Sequence, residues 1–114
     1  MIAPTELTAN YERLNAPYDP NLPIEYLFQK IQDVRAFDMD GGHPYGDAMI
    51  VNVAFTLILN TFLLPDACRA WQLRPTAQKT WKTFKVDFSA AHREYRITNQ
   101  TAQQAGFHSA NIMI

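Results

Sequence analysis

Three histidines, one cysteine and two close aspartates are the residues of this 114-residue chain whose types suit catalysis or metal binding: His43, His92, His108, Cys68, Asp38 and Asp40. A zinc site is signalled by Cys-x-x-Cys or closely spaced histidines, because one turn or one helix face must present two ligands together. No two of these residues stand at that spacing. Cys68 would act as a nucleophile only if the fold set His92 beside it to take the proton. Next to Trp71 on a short helix it reads instead as a small core residue. Asp38 and Asp40 flank a loop and read as solvated carboxylates. The segment DGGHPYG (40–46) has the glycines of a phosphate loop, but no strand precedes it and it holds no lysine. No active site emerges, so the chain is expected to be no enzyme, with no cofactor, no metal and no small-molecule substrate.

Composition bounds what is left. The chain is 47% hydrophobic and 18% charged, the balance of a globular protein and not of a disordered one. At this length one domain, or one domain and a tail, buries roughly two-thirds of the surface its unfolded chain exposes. A single cysteine forbids an internal disulfide and points to a reducing, cytoplasmic setting. The first 20 residues hold no apolar run of the kind a secretory leader carries. The longest apolar stretch, AMIVNVAFTLILNTFLL (48–64), is interrupted by Asn52, Thr56, Asn60 and Thr61, and is too short and polar for a membrane span. The formal net charge is −1, which argues against an indiscriminate nucleic-acid binder. The charge is nevertheless uneven. Residues 1–47 hold eight acids and three bases, whereas residues 69–96 hold seven bases and two acids. Either an acidic surface of one copy meets a basic surface of another, or the two regions neutralise each other within one fold or face solvent.

The elements that must position these residues read as helices. Residues 5–15 carry Leu7, Tyr11 and Leu14 at helical spacing after Thr5, a suitable N-cap. APYDPNLP (16–23) cannot be helical, because each proline fixes φ and removes a donor, so a stiff strap is expected there. From about Pro23 to Asp38, Ile24, Leu27, Phe28, Ile31 and Val34 form the stripe of a core-facing helix. Gly41, Gly42 and Pro44 end it in a loop. A third helix is expected over 47–61, capped by Asp47, with a polar stripe of only Asn52, Thr56 and Asn60. So apolar a helix is either central to the core or carries Met49, Val53 and Phe55 or Leu59 into contact with a second copy. Pro65 opens a short helix, PDACRAWQL, that ends before Pro75. Thr76 is expected to cap a fifth helix running to about Arg96, with a seam of Ala77, Trp81, Phe84, Phe88, Ala91 and Tyr95. Lys79, Lys82 and Lys85, three apart, would spiral along one side of it, with Arg93 and Arg96 further on; they form a solvated face or face RNA or another partner. Residues 98–114 form a sixth helix around Ala102, Ala105 and Phe107, weakened by Gly106. The expected fold is all-α, a compact bundle of five to six helices. Its core is Phe28, Ile31, Ile58, Trp81, Phe84 and Phe88.

This order of parts resembles the C-terminal domain of Gag capsid proteins from retroviruses and LTR retrotransposons. That family carries a strap, a turn and a helix of the form Gly-Pro-x-x-Pro-aromatic-x-x-Tyr-x-x-x-aromatic. DPNLPIEYLFQKI (19–31) is similar: Pro20 and Pro23 match the prolines, Ile24 and Phe28 supply large apolar residues, and Asp19 stands where the glycine would be. The family continues with a dimerising helix, a Pro-Asp step opening a short helix, a proline break and a final helix. LPDACRAWQLRPTAQKTWKTFKVDF (64–88) looks like that tail, and TWKTFKVDFSAAHREYR and AGFHSAN look like Gag-like reading frames of copia-type elements. The resemblance covers roughly residues 17–112. It implies an N-terminal helix or arm (1–16), a capsid-like helical domain (17–97) and a C-terminal helix or tail (98–114). It further implies a structural, self-assembling protein of an intracellular particle, a dimer or larger, with RNA as a partner in the full-length context and no membrane contact. No Cys-x-x-Cys knuckle is present, so the RNA-chaperoning part of Gag is not expected of these residues. The alternative is a monomeric protein-interaction or nucleic-acid-binding domain that uses the basic face of residues 69–96.

Overall fold

The prolines set most of the element boundaries. Pro4 opens α1 (Pro4–Leu14) and Pro65 opens α4 (Pro65–Leu73), where a missing N–H forfeits no helical bond. Pro23 stands one residue ahead of α2 (Ile24–Asp40) in extended geometry. α3 runs Asp47–Leu59. A 3-10 turn at Thr76–Gln78 follows Pro75, and α5 runs Trp81–Met113. The structure, a computed structural model, describes residues 3–42 and 45–113, with 100–113 as backbone alone. Every regular element among the described residues is helical, so the chain is an all-α bundle of five α-helices.

Several boundaries differ from the sequence expectation, each for a local reason. Ala3, not Thr5, is the N-cap of α1, and the Glu6 carboxylate accepts the Ala3 N–H at 3.3 Å. Gly46, not Asp47, caps α3; Asp47 is its first residue, where a negative charge suits the helix N-terminus. α5 starts at Trp81, not near Thr76. The Thr80 hydroxyl accepts the Thr83 N–H at 3.2 Å and so supplies the cap, while Thr76–Gln78 close a tighter turn. Ala77 is therefore outside the seam and exposed. The expected sixth helix is a continuation of α5, because no proline intervenes and one glycine costs a helix only about 1 kcal/mol. Gly42, with φ of 80°, takes the left-handed turn that ends α2. His43 and Pro44 and the His108 side chain lie outside the described residues.

The core is a cluster of rings. Phe84 is fully buried and touches Phe28, Trp71, Trp81 and Phe88, with ring centroids at 6.2, 5.2, 5.8 and 4.4 Å. Phe28 meets Trp81 edge-on at 5.6 Å. Ile31, Ile58 and Phe88 are buried as expected, joined by Leu14, Ile24, Val34, Ile50 and Ala54. Cys68 is a buried core thiol whose pKa is raised by burial. At the surface Arg74 forks onto Asp87 at 2.7 and 3.0 Å, tying the end of α4 to α5. Among the described residues no helix is long and apolar enough to cross a membrane.

Candidate functional site

The strap is a folded joint and not a straight rod. Residues 17–19 belong to no helix, then Asp19–Leu22 close a turn in which the Asp19 carbonyl accepts the Leu22 N–H at 3.1 Å. Proline at the second position of such a turn supplies the φ it requires, and here it is Pro20. The Asp19 carboxylate accepts the Asn21 N–H at 2.9 Å, a local bond that a glycine there would not make. The Tyr18 hydroxyl donates to the Leu22 carbonyl, and its pKa is pushed up to about 12, chiefly by burial and then by Glu25 and Asp19. Lys30 donates to the Ala16 carbonyl at 2.9 Å, and burial pulls its pKa down. The joint feeds Ile24 and Phe28 straight into the core. On one side Pro17, Tyr18 and Pro20 face Leu57, Asn60 and Thr61 at the end of α3; on the other Pro20–Leu22 face His92, Tyr95 and Arg96 of α5.

His92 is thus a buried histidine beneath the strap, 5% exposed. Its pKa is lowered by burial first and by Arg96 second, with Glu25 acting in the opposite sense. The unfolded chain therefore takes up the proton first on acidification, and stability falls as pH drops through the ordinary histidine range, about 6.5. The melting temperature is expected to decline from about pH 7.5 to 5.5, and His92→Gln to flatten that decline. A slope that survives the substitution assigns the effect to other groups.

The residues proposed for self-association do not form one patch. Met49 and Val53 are half-buried on one flank of α3 and pack against the core. Phe55, also half-buried, and Leu59, 41% exposed, lie on the other flank, about 120° around the helix. Between them the outward stripe is Asn52 and Thr56, both exposed. The basic residues divide as well. Lys79 precedes α5 and donates to the Gln72 carbonyl at 3.3 Å, so the three lysines do not share one helix. Lys85 is half-buried, donating to Gln32 at 3.3 Å and lying over the Trp81 ring at 5.7 Å. Lys82, Arg93 and Arg96 are exposed along one flank of α5.

A buried polar cluster was not anticipated. Asp38, expected to be solvated, is 2% exposed. Asn10, 7% exposed, donates to the Asp38 carboxylate and to the Val34 carbonyl, both at 2.9 Å. The Tyr45 hydroxyl also bonds Asp38, and its pKa is raised by burial first and then by that bond. Arg35 pairs with Asp47 at 2.6 Å nearby. The signal was in the periodicity: Asn10 falls between Leu7 and Leu14 on the α1 stripe, and Asp38 four residues after Val34 on the α2 stripe. A polar group on an apolar stripe must be bonded. The cluster ties α1 to α2 and to the start of α3, a structural task. No family model, no curated protein and no solved structure matches this chain.

Proposed function

We propose that the chain is a structural self-assembly module of a Gag-like capsid, from an LTR retrotransposon or a domesticated remnant of one, forming dimers or larger virus-like assemblies inside the cell. The observation that carries this reading is the strap, turn and helix of residues 17–40. It has the order of parts that the capsid resemblance implies: Asp19 closes the turn through its carbonyl and its carboxylate, and Lys30 of α2 holds the incoming chain by donating to the Ala16 carbonyl. A joint held this firmly keeps the angle between successive parts of a polyprotein constant, which a lattice requires. Sedimentation over a concentration series tests the reading: the weight-average mass should rise above the monomer value. Leu59→Glu, at an exposed position of α3, should weaken that association about tenfold or more while the chain stays folded. A parent chain that is monomeric at every concentration would sink the assembly reading.

The exposed flank of Lys82, Arg93 and Arg96 favours a second reading, a monomeric domain that binds RNA or an acidic protein. A sodium chloride series separates the two. Assembly through charge loses mass as salt rises, because the Debye length shrinks from about 10 Å to about 3 Å. Assembly through apolar contact holds. RNA binding that weakens with salt, and weakens further in Lys82→Glu with Arg93→Glu, supports the second reading.

A further inference from the structure

Phe62 is the most exposed large apolar side chain described, 86% exposed, and it sits in the left-handed region with φ of 59°. Each feature is unfavourable for a lone chain. A helix end that turns left-handed ordinarily uses glycine, because any Cβ is strained there. Two local bonds hold it: the Phe62 N–H donates to the Leu59 carbonyl at 3.1 Å, and the Leu63 N–H to the Thr61 hydroxyl at 3.3 Å. The residue next along, Leu63, begins the wall of a groove of about 690 Å³ between α4 and α5. Small side chains hollow it out: Ala67 and Ala70 from α4, Ala90 and Ala91 from α5. Its rim carries Asp66 and Glu94; Asp87, also on the rim, is already taken by Arg74.

We propose that this groove receives Phe62 of a second copy, so that two chains exchange rings across a two-fold axis. This deepens the self-assembly reading and rests on it. A knob set directly beside its own hole is the arrangement a two-fold pair needs, since both lie near the axis and each copy supplies and receives the same contact. Asp66 on the rim already has Arg69 of its own chain 3.9 Å away, so the contact offered to an incoming ring is chiefly apolar, against Ala67, Ala70, Ala90 and Ala91. The contact lies at the C-terminal end of α3, next to Leu59 and away from Met49 and Val53.

The test measures mass and melting together on the parent chain, Phe62→Gly, Ala90→Glu and, as a control, Tyr26→Ser at another exposed ring, 63% exposed. Phe62→Gly should weaken dimerisation about tenfold or more, yet leave the melting temperature measured on dilute monomer equal or higher, because glycine relieves the strain. Ala90→Glu, on an exposed position, should weaken dimerisation without loss of fold, and Tyr26→Ser should change nothing. Mixing Phe62→Gly with Ala90→Glu leaves one intact ring in one intact groove, so the mixture should be heavier than either alone. A dimeric parent unaffected by Phe62→Gly, or a mixture no heavier than its parts, overturns the exchange and leaves self-assembly standing. A parent monomeric at every concentration overturns both.

Discussion

Phe84→Ala is expected to remove about 3–5 kcal/mol of folding stability, the range for a large ring deleted from a core. Phe84 is 0% exposed and lies in ring contact with Phe28, Trp71, Trp81 and Phe88, so four of the five main aromatic residues lose a partner at once. Two contacts are stacked and two edge-on, and the neighbours come from α2, α4 and α5 itself. Collapse into the space would need shifts of separate helices, which keeps the cavity open and the loss near the top of the range. A domain of this size holds only about 5–15 kcal/mol in total, so the variant would be partly unfolded at body temperature. Urea unfolding followed by tryptophan fluorescence measures the change, since Trp71 and Trp81 report on the same cluster. A loss under about 1 kcal/mol would show that the rings are not the centre of the core.

Asn10→Ala is expected to cost about 2–3 kcal/mol, more than an ordinary hydrogen bond, because it leaves the buried Asp38 carboxylate short of a donor. The effect should be regional. Asn10 is the polar link from α1 to α2, and the Val34 carbonyl it also binds belongs to that helix. Hydrogen exchange should therefore quicken across α1 while the amides around Phe84 and Phe88 keep their protection. Asp38→Asn is the companion variant: it keeps an acceptor for Asn10 and should cost less. Equal losses for the two would assign the effect to the carboxylate's charge and not to its bond with Asn10.

The helices were legible wherever local chemistry decides. α4 was read at its observed limits because Pro65 opens it and Pro75 stands beyond it. The stripe of Ile24, Leu27, Phe28, Ile31 and Val34 was read as core, and all five are buried. The start of α5 is not legible from residue type because Thr76 and Thr80 are equally good caps; the 3-10 turn at Thr76–Gln78 moves the cap to Thr80. Asp38 departs from the sequence expectation because a carboxylate beside a glycine loop is usually solvated, whereas here Asn10 of α1 and Tyr45 close over it.

For this chain, residue type and spacing by themselves determined that it is helical, where prolines interrupt it and which side chains are apolar enough to meet. These follow from backbone sterics and a 3.6-residue period, both of which act within one turn or one helix. The tertiary structure decided the rest. It buried Asn10 against Asp38, set His92 beneath the strap, split the outer face of α3 into two flanks, and left Phe62 projecting beside a groove built from α4 and α5. Each depends on which helices pack together and at what angle. That is settled by summed burial over the whole chain, and no single segment carries it.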